Sequence, residues 1–294
     1  MLIGIDSYTF HRYFGEVYEG GLQQDPGVKW DMLEDFVPFA VGLDVDEVAL
    51  ETIFFPVFDD NYCAKLNAEL DRVGLKRVIG WGHPDGLHGG TDQAALDNLI
   101  KHIPRASHVG ASIMRIVAAS MLYVDGDHKE MVKNSVEMLK KAVAVAESHN
   151  VTLAIENHID FTSEEILQIL DGVGSPNLKA NFDTGNALRM FEDPLVAAEN
   201  LAPHCVATHT KDVAFRKGGN PMERFTSWPS VPAGKGDVDL LGIAQILDKA
   251  KFQGSLAIEM DLMGAPFDTL TEEQNVSESI DHLKWIRNEI GAGK

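Results

Sequence analysis

Short apolar runs alternate along this chain with longer segments in which apolar residues recur at helical intervals. Continuous apolar runs bounded by turn residues are typical of strands that are buried on both faces. Each run is followed by a segment with the helical period, so the pattern predicts a repeating strand–helix unit. The predicted strands span residues 2–7, 47–51, 76–80, 112–117, 152–156, 178–182, 205–208 and 255–259.

The segments between these strands predict helices that bury one apolar face. The start of one helix is marked by Thr162–Glu165, which has the Thr-x-x-Glu form of a capping box. Helices are predicted around residues 30–42, 60–73, 91–108, 128–149, 163–172, 194–202, 240–250 and 272–290.

A strict alternation of strand and helix predicts a parallel sheet, and eight such units predict that the sheet closes into a barrel. No change in composition marks a linker, so residues 1–294 are predicted to form one (β/α)8 TIM barrel domain of the α/β class. An open doubly wound sheet is the alternative. The loop after the first strand lacks a Gly-x-Gly-x-x-Gly motif, which favours the barrel.

The last four predicted strands each run into a side chain that can bind a metal ion. Glu156 and Glu259 end the fifth and eighth strands, and Asp183 and His209 follow the sixth and seventh. In a barrel these strand ends meet at one face. Three carboxylates gathered there would repel each other, so a cation is expected among them. Carboxylates with one imidazole suit Mn²⁺, Mg²⁺ or Co²⁺ better than a structural zinc, although Zn²⁺ stays an alternative.

Composition narrows the range of partners and compartments. The chain is 45% hydrophobic and 24% charged, with a formal net charge of −20. Such an acidic surface repels phosphate backbones and anionic lipid, so neither nucleic acid nor a membrane is an expected partner. The two cysteines form no CxxC pair, and the N-terminus does not resemble a signal peptide. We expect a cytoplasmic protein.

The strand-end motifs resemble those of a known family. The motifs are Ile155–His158, Phe182–Asn186, His209–Asp212, Gly234–Asp239 and Ile258-Glu259. In type and order they are similar to the sugar-phosphate isomerase/epimerase branch of the xylose isomerase-like TIM barrel superfamily, which includes ketose 3-epimerases and inosose-type isomerases or dehydratases.

This resemblance implies one divalent metal ion, with Mn²⁺ expected, held by Glu156, Asp183, His209 and Glu259. It also implies that Glu156 and Glu259 move protons on the two faces of the substrate. Many members carry a histidine where this chain has Asn186, and a carboxamide cannot carry a proton. His158 is therefore a third candidate catalytic residue, and His83 is an alternative to it.

Several further residues are candidates for binding substrate. They lie at predicted strand ends or in the loops that follow, where polar and aromatic groups can contact a sugar. For the aromatic residues the alternative is a place in the core, and for the loop charges it is a solvated surface. The candidates are Tyr8, Trp81, His83, Asn186, Lys211 and Arg216.

The expected activity is sugar isomerisation or epimerisation of a keto-sugar through a metal-stabilised enediolate. A metal-dependent lyase or decarboxylase, acting on a 3-oxo sugar acid or a 3-keto glycoside, is the alternative, because loss of CO₂ produces the same type of enolate. DNA-repair endonucleases share the superfamily fold, but the net charge of −20 argues against that activity. The expected partner is a small sugar or sugar acid, and the resemblance favours a homodimer or homotetramer.

Overall fold

Eight parallel strands form a single sheet that closes on itself. The computed structural model describes residues 1–83, 85–120, 125–217 and 224–292. The sheet order is β8-β1-β2-β3-β4-β5-β6-β7. The edge between β7 and β8 is closed at Thr210, which bridges to Ile258 and whose N–H donates to the carbonyl of Ala257 at 2.6 Å. The strands are β1 Leu2–Asp6, β2 Glu47–Glu51, β3 Lys76–Gly80, β4 Ile113–Ile116, β5 Thr152–Glu156, β6 Leu178–Asp183, β7 Cys205–His209 and β8 Ser255–Ile258.

Helices cover the outside of the sheet, and the predicted barrel is confirmed. The predicted capping box is present, since Thr162 and Glu165 exchange both of its hydrogen bonds at the start of α5. A π-helical turn, Met32–Phe36, precedes α1. None of the helices in the described residues could span a membrane. The α-helices are α1 Val37–Gly42, α2 Asp60–Val73, α3 Gln93–His108, α4 His128–Ser148, α5 Ser163–Val173, α6 Asn186–Arg189, α7 Pro194–Leu201, α8 Arg224–Ser227, α9 Leu240–Lys249 and α10 Glu272–Ala292.

The alternation of side chains along each strand separates two layers of packing. In β2, Val48 and Leu50 belong to the large cluster between sheet and helices, whereas Ala49 packs with Val78 and Ala207 in a small cluster. Successive side chains of a strand point to opposite faces, so the small residues fill the narrow interior of the barrel. The charged residues at the strand ends follow the same alternation, so their side chains also point into the barrel.

The long loop after β7 contains a small antiparallel hairpin, in which Asp212–Val213 pairs with Ser230–Val231. Asp212 also fixes the Gly234–Asp239 segment. Its carboxylate accepts the backbone N–H groups of Gly234 and Gly236 at 2.9 Å and that of Val238 at 3.2 Å. A Cβ at Gly236 would overlap the Asp212 carboxylate. The glycine motif noted in the sequence therefore has a clear structural role in this loop.

Candidate active site and metal centre

The interior positions at the strand ends bring the four predicted ligands and three further charged residues to one rim of the barrel. In β5, β6 and β8 the outward neighbours Ile155, Phe182 and Ile258 pack under the helices. The residue that follows each of them must then point inward. The same alternation places the ends of β1, β2 and β4 at this rim. The inward side chains, all at most 8% exposed, are Asp6, Glu51, Arg115, Glu156, Asp183, His209 and Glu259.

His209 lies at the centre of this group. Its Nδ1 is 3.4 Å from Glu156 Oε1 and 3.5 Å from Glu259 Oε2, while its Nε2 is 3.2 Å from Asp6 Oδ2. Asp6 therefore contacts the imidazole at the nitrogen that faces away from Glu156 and Glu259, and so fixes its orientation. Burial alone would lower the pKa of His209, but the charges of Glu156 and Glu259 raise it well above its ordinary value. The surroundings thus stabilise positive charge beside Nδ1.

Asp183 is held rigidly at the turn after β6. Its Oδ1 accepts the N–H groups of Gly185 and Asn186, both at 2.9 Å. Asn157 clamps the same strand end, since it donates to the Asp183 carbonyl at 2.9 Å and accepts the Asp183 N–H at 2.8 Å. These bonds leave Oδ2 directed at the group around His209. Burial raises the pKa of Asp183 to about 7, and nearby Lys211 opposes that rise.

Three of the four predicted ligands form a compact set. One ligand atom from each of Glu156, Asp183 and His209 lies within 4.8 Å of the others. Glu259 is outside that set but approaches His209, as described above. The buried atoms Asp183 Oδ2, His209 Nδ1 and Glu259 Oε2 make no hydrogen bond within the described residues, although the ammonium of Lys211 lies near both carboxylate oxygens. Buried ligand atoms that gather at one place without hydrogen bonds are what a bound cation would satisfy, so this donor set fits a metal ion.

The charge balance of the rim also favours a divalent cation. Ion pairs link the whole group into one network, which extends to Arg189, Lys211 and Asp261. Six carboxylates are set against three guanidinium or ammonium groups, which leaves three formal negative charges when His209 is neutral, the form in which it binds a metal ion. A divalent ion would cancel two of them, whereas a further anion would increase the imbalance.

Lys211 is buried and ion-paired, unlike a loop residue that is available to bind substrate. Its side chain is 3% exposed, and its ammonium lies 2.7 Å from Glu259 Oε2 and 3.0 Å from both Asp183 Oδ2 and Asp261 Oδ2. Gly185 allows this approach, because a Cβ there would lie 2.9 Å from Lys211 Cγ. Burial alone would lower the pKa of Lys211, but the carboxylates raise it well above its ordinary value. The ammonium is thus a counter-ion of the site.

Arg115 was not predicted from the sequence. It forms an ion pair with Glu51, and its Nε lies 3.4 Å from Glu156 Oε2. A Cβ at Gly80, on the strand between them, would overlap the Glu51 carboxylate. Burial alone would raise the pKa of Glu156, but His209 and Arg115 hold it well below its usual range. The signal that could have revealed Arg115 is a lone charge inside an otherwise apolar strand.

Arg189 and Asp261 were also missed. The Arg189 guanidinium bonds both Asp261 carboxylate oxygens, at 2.6 and 2.9 Å, and donates to the carbonyl of Trp228. Asp261 also accepts the Ser230 hydroxyl at 2.7 Å. Both residues lie beyond the strands that the apolar pattern identifies, so the pattern gives no signal for their pairing. Asp261 also contacts the Lys211 ammonium, so it joins this pair to the rim network.

Asn186 and His158 both interact with Glu156. Asn186 Nδ2 donates to Glu156 Oε1 at 3.4 Å, and its Oδ1 accepts Arg189 Nη1 at 3.2 Å. His158 is partly exposed, and its Nδ1 has no hydrogen-bond partner within the described residues. Burial lowers the pKa of His158 despite the charge of Glu156. Asn186 therefore fixes a carboxylate, and His158 presents a neutral imidazole.

The remaining candidates divide into core and loop positions. Trp81 is 1% exposed and donates its indole N–H to Asn98 at 2.9 Å, so its ring is part of the core. His83 stacks on Trp81 at 5.1 Å. The Tyr8 hydroxyl bonds Glu16 and Tyr18 within its own loop, at 3.1 and 2.9 Å.

Arg216 is the candidate whose position agrees least with the predicted role in substrate binding. It is exposed in the loop after β7, and no side-chain contact joins it to the rim network in the part of the chain that the structure describes. Its backbone N–H donates to the Ser227 carbonyl at 2.9 Å. Residues 218–223 of that loop lie outside the described residues.

Comparisons with known proteins agree with this fold. The sequence model of the xylose isomerase-like TIM barrel family matches residues 39–287. A curated relative, 3-oxo-isoapionate decarboxylase of Pectobacterium atrosepticum, is 25% identical over 150 residues, which cover 51% of this chain and 52% of the relative. The chain thus matches about half the length of this relative.

Two solved structures illustrate the similarity over the whole chain. D-psicose 3-epimerase from Clostridium cellulolyticum, solved with D-tagatose, superposes with a TM-score of 0.73 at 16% identity and covers 99% of both chains. The 3-keto-D-glucoside 4-epimerase of Escherichia coli gives 0.69 at 13% identity, with 98% of this chain and 99% of the other covered. At these identities the likeness establishes the fold alone.

Proposed function

Because the chain belongs to the xylose isomerase-like TIM barrel family, we propose that it is a divalent-metal-dependent enzyme that epimerises or isomerises a neutral keto-sugar. The observation that carries this proposal is the arrangement around His209. Two carboxylates, Glu156 and Glu259, approach the same imidazole nitrogen at 3.4 and 3.5 Å, and one ligand atom of Asp183 lies within 4.8 Å of those of Glu156 and His209. Relatives that act on keto-sugars supply further support.

The proposed metal ligands are Glu156, Asp183, His209 and Glu259, as the strand-end motifs predicted. Mn²⁺ is the expected ion, because carboxylate-rich sites with one imidazole suit it. When bound, such an ion would supply a Lewis acid for the carbonyl oxygen of the substrate.

The two glutamates are proposed to move the proton. Glu156 is held ionised by His209 and Arg115, so it can accept a proton from the carbon next to the substrate carbonyl. The electron pair of the broken C–H bond moves into the enediolate. A proton passed from the Lys211 ammonium through Glu259 to the opposite face of that carbon gives the epimer, and return of the proton held by Glu156 to the former carbonyl carbon gives the isomer. Lys211, 2.7 Å from Glu259, positions that carboxylate.

A neutral substrate follows from the charge of the rim. Lys211 faces three carboxylates, and Arg115 is shared between Glu51 and Glu156. Neither cation has an excess of positive charge to hold a substrate carboxylate. The sequence made Lys211 a candidate for binding substrate, whereas in the structure its ammonium offsets the charge of the site itself.

A second candidate function is decarboxylation of a 3-oxo sugar acid, which the similarity to 3-oxo-isoapionate decarboxylase favours. In that reaction the C–C bond breaks, CO₂ leaves, and its electron pair forms the enolate. Only one proton donor is then needed, and Glu259 could deliver a proton from the ammonium of Lys211, 2.7 Å away. The second glutamate would have no proton to move.

One NMR experiment separates these candidates. The purified protein, stripped with EDTA and reloaded with Mn²⁺, Mg²⁺, Co²⁺ or Zn²⁺, is incubated in D₂O with a panel of keto-sugars and 3-oxo sugar acids. Uptake of deuterium next to the carbonyl, dependent on the metal, supports epimerisation or isomerisation. Loss of a carbon as CO₂ without exchange in the starting material identifies the decarboxylase instead. Full activity in excess EDTA would refute both.

A further inference from the structure

Arg189 donates all five of its guanidinium N–H groups, and they reach three different parts of the rim. The side chain is fully buried on α6. Nε and Nη2 donate to the carbonyl of Trp228, in the loop after β7, at 3.1 and 2.9 Å. Nη1 and Nη2 donate to the Asp261 carboxylate, after β8, at 2.6 and 2.9 Å, and Nη1 also donates to Asn186 Oδ1, after β6, at 3.2 Å. One side chain therefore joins three loops of the barrel.

Arg189 determines which way round the amide of Asn186 lies. A guanidinium can only donate, so the Asn186 atom beside it must be the carbonyl Oδ1. The Nδ2 group is thereby left on the side of Glu156, and it donates to Glu156 Oε1 at 3.4 Å. If the amide were turned over, its oxygen would face a carboxylate and its N–H groups would face a guanidinium, so both contacts would be repulsive. Arg189 thus ensures that Glu156 meets a hydrogen-bond donor on this side.

A second branch leads from Arg189 to Glu259. The Lys211 ammonium lies 2.7 Å from Glu259 Oε2 and 3.0 Å from Asp261 Oδ2. Because Arg189 bonds both oxygens of Asp261, it offsets that charge and leaves the ammonium to be shared with Glu259. Without the guanidinium, the buried Asp261 carboxylate would attract Lys211 more strongly, since an unpaired charge is costly in the interior. Arg189 therefore affects the position of both glutamates that the proposed function uses.

Residues 225–230, in the loop after β7, pack against the same guanidinium. The centre of the Phe225 ring lies 4.8 Å from Arg189 Cζ, and the Trp228 carbonyl accepts two of the N–H groups. Ser230 extends the contact, since its hydroxyl donates at 2.7 Å to the carboxylate that Arg189 binds. A cation–π contact contributes most when the cation is shielded from water, as it is here. These contacts form only while the segment is docked, so docking and the orientation of the guanidinium stabilise each other.

We propose that Arg189 is a positioning residue that couples the docking of residues 225–230 to the placement of Glu156 and Glu259. The docked segment orients the guanidinium, which acts on one glutamate through the amide and on the other through the ammonium described above. The catalytic consequence rests on the proposed function, because that function assigns proton transfer to the two glutamates. The coupling itself rests on the contacts alone.

The first experiment tests the coupling in the metal-free protein. Its reporter is hydrogen exchange of the Asn186 side-chain amide, measured by NMR, because Arg189 lies between this group and the docked segment. We expect exchange to be about fivefold faster in Phe225→Leu, since a cation–π contact to a buried cation contributes on the order of 1 kcal/mol. Phe225→Tyr keeps an aromatic ring and should match the wild type.

Phe58→Leu is the matched control for this experiment. The Phe58 ring forms a similar contact with Arg105 of α3, at 5.5 Å, so its loss should leave the exchange of the Asn186 amide unchanged. Phe225 is only half-buried, so the fold should tolerate leucine there. Unchanged exchange in Phe225→Leu, or equal acceleration in both leucine variants, would overturn the coupling.

The second experiment uses Mn²⁺ as the probe and follows backbone hydrogen exchange of the docked segment by mass spectrometry. The amides of Trp228 and Ser230 donate to backbone carbonyls at 3.2 and 2.7 Å, so both report docking. Coupling is reciprocal, so an ion that orders the two glutamates must also stabilise the segment. We expect Mn²⁺ to slow exchange of these amides in the wild type and in Phe58→Leu, and to slow it less in Phe225→Leu. Equal slowing in the two variants would overturn the coupling.

Two further outcomes separate the coupling from the proposed function. Failure of Mn²⁺ to bind, measured by titration calorimetry, would refute the proposed function, while the experiment in the metal-free protein still decides the coupling. With a keto-sugar that takes up deuterium, the positioning role predicts that Phe225→Leu lowers kcat several-fold and leaves KM unchanged. A raised KM with unchanged kcat would overturn that role and identify Phe225 as a substrate-binding residue.

Discussion

The two halves of the barrel contribute different things to the same rim. The ends of β5 to β8 supply the proposed metal ligands, whose unsatisfied atoms converge near His209. The ends of β1 to β4 supply Asp6 and Arg115, which contact that set, and Glu51, which pairs with Arg115. Asp6 holds His209, and Arg115 holds Glu156. One half therefore carries the chemistry in our proposal, and the other half fixes the orientation and charge of the residues that perform it.

This division follows from a single property of parallel strands. Both halves alternate outward apolar and inward small or polar residues, so both deliver charged side chains to the interior at the strand end. A substitution in the ligand half should affect proton transfer as well as metal binding, whereas one in the supporting half should affect metal affinity alone. The predictions below test that contrast.

The largest expected effect is on catalysis by Glu156→Gln. The amide keeps the shape of the side chain but cannot accept a proton, so we expect kcat to fall by about 10²–10⁴-fold. Glu47→Gln is the matched control, because Glu47 is also buried and inward-facing but lies at the opposite end of the barrel, bonded to Ser255 at 2.6 Å. Deuterium exchange measured by NMR gives both rates. Equal losses in the two variants would mean that the effect arises from the fold.

The next effect is on stability, through Arg189→Met. Arg189 is fully buried, and its loss leaves Asp261 with Lys211 as its one cationic partner among the described residues. Removal of one member of a buried ion pair costs about 3–5 kcal/mol, because the other charge stays desolvated. Urea unfolding followed by circular dichroism measures the change.

The control for Arg189 is Arg72→Met. Arg72 forms an exposed pair with Glu69 on α2, and such pairs contribute little, so its loss should leave the urea midpoint unchanged. If both arginine variants unfold at the wild-type midpoint, the Arg189–Asp261 pair is not a structural support of the rim.

A smaller effect is expected from Asp6→Asn, in the supporting half. Asp6 contacts His209 Nε2 at 3.2 Å and so holds the ring with Nδ1 toward Glu156. Loss of such a partner typically weakens metal binding by about 10–100-fold. Titration calorimetry with Mn²⁺ measures the affinity, with Asp44→Asn as a control because the Asp44 side chain is 97% exposed. Unchanged affinity in Asp6→Asn would remove the supporting role assigned to β1.

The sequence predicted the ligand half better than the supporting half, for a physical reason. A strand that runs into Glu156 or Glu259 is visible because the apolar run stops at a charge. Arg115 interrupts the apolar run of β4, and its partner Glu51 comes from a different strand, so only the fold shows that they meet. Arg189 lies in a helix and Asp261 in a loop, so no periodicity in the sequence relates the two positions.

The aromatic and loop candidates were harder still to place. Trp81 lies at a strand end, as predicted, but its indole N–H is bound by Asn98 inside the core. Arg216 lies in the long loop after β7 and is exposed. Strand-end position is decided by the backbone pattern, whereas the direction of a large side chain depends on packing partners that are distant in sequence. The barrel and its order of strands needed only the local pattern.

The smallest expected effect is on the labelling of two buried cysteines, one in each half of the barrel. Cys63 on α2 and Cys205 on β7 are both buried, and burial raises their thiol pKa to about 11 and about 12, from a usual value of 9.0. Both thiols therefore stay protonated at pH 8 and should resist iodoacetamide in the native protein. Unfolded thiols ionise near pH 9, so stability should decline slightly as the pH rises above that value. Mass spectrometry of native and urea-unfolded samples measures the labelling, and rapid native labelling of either cysteine would identify the half that opens.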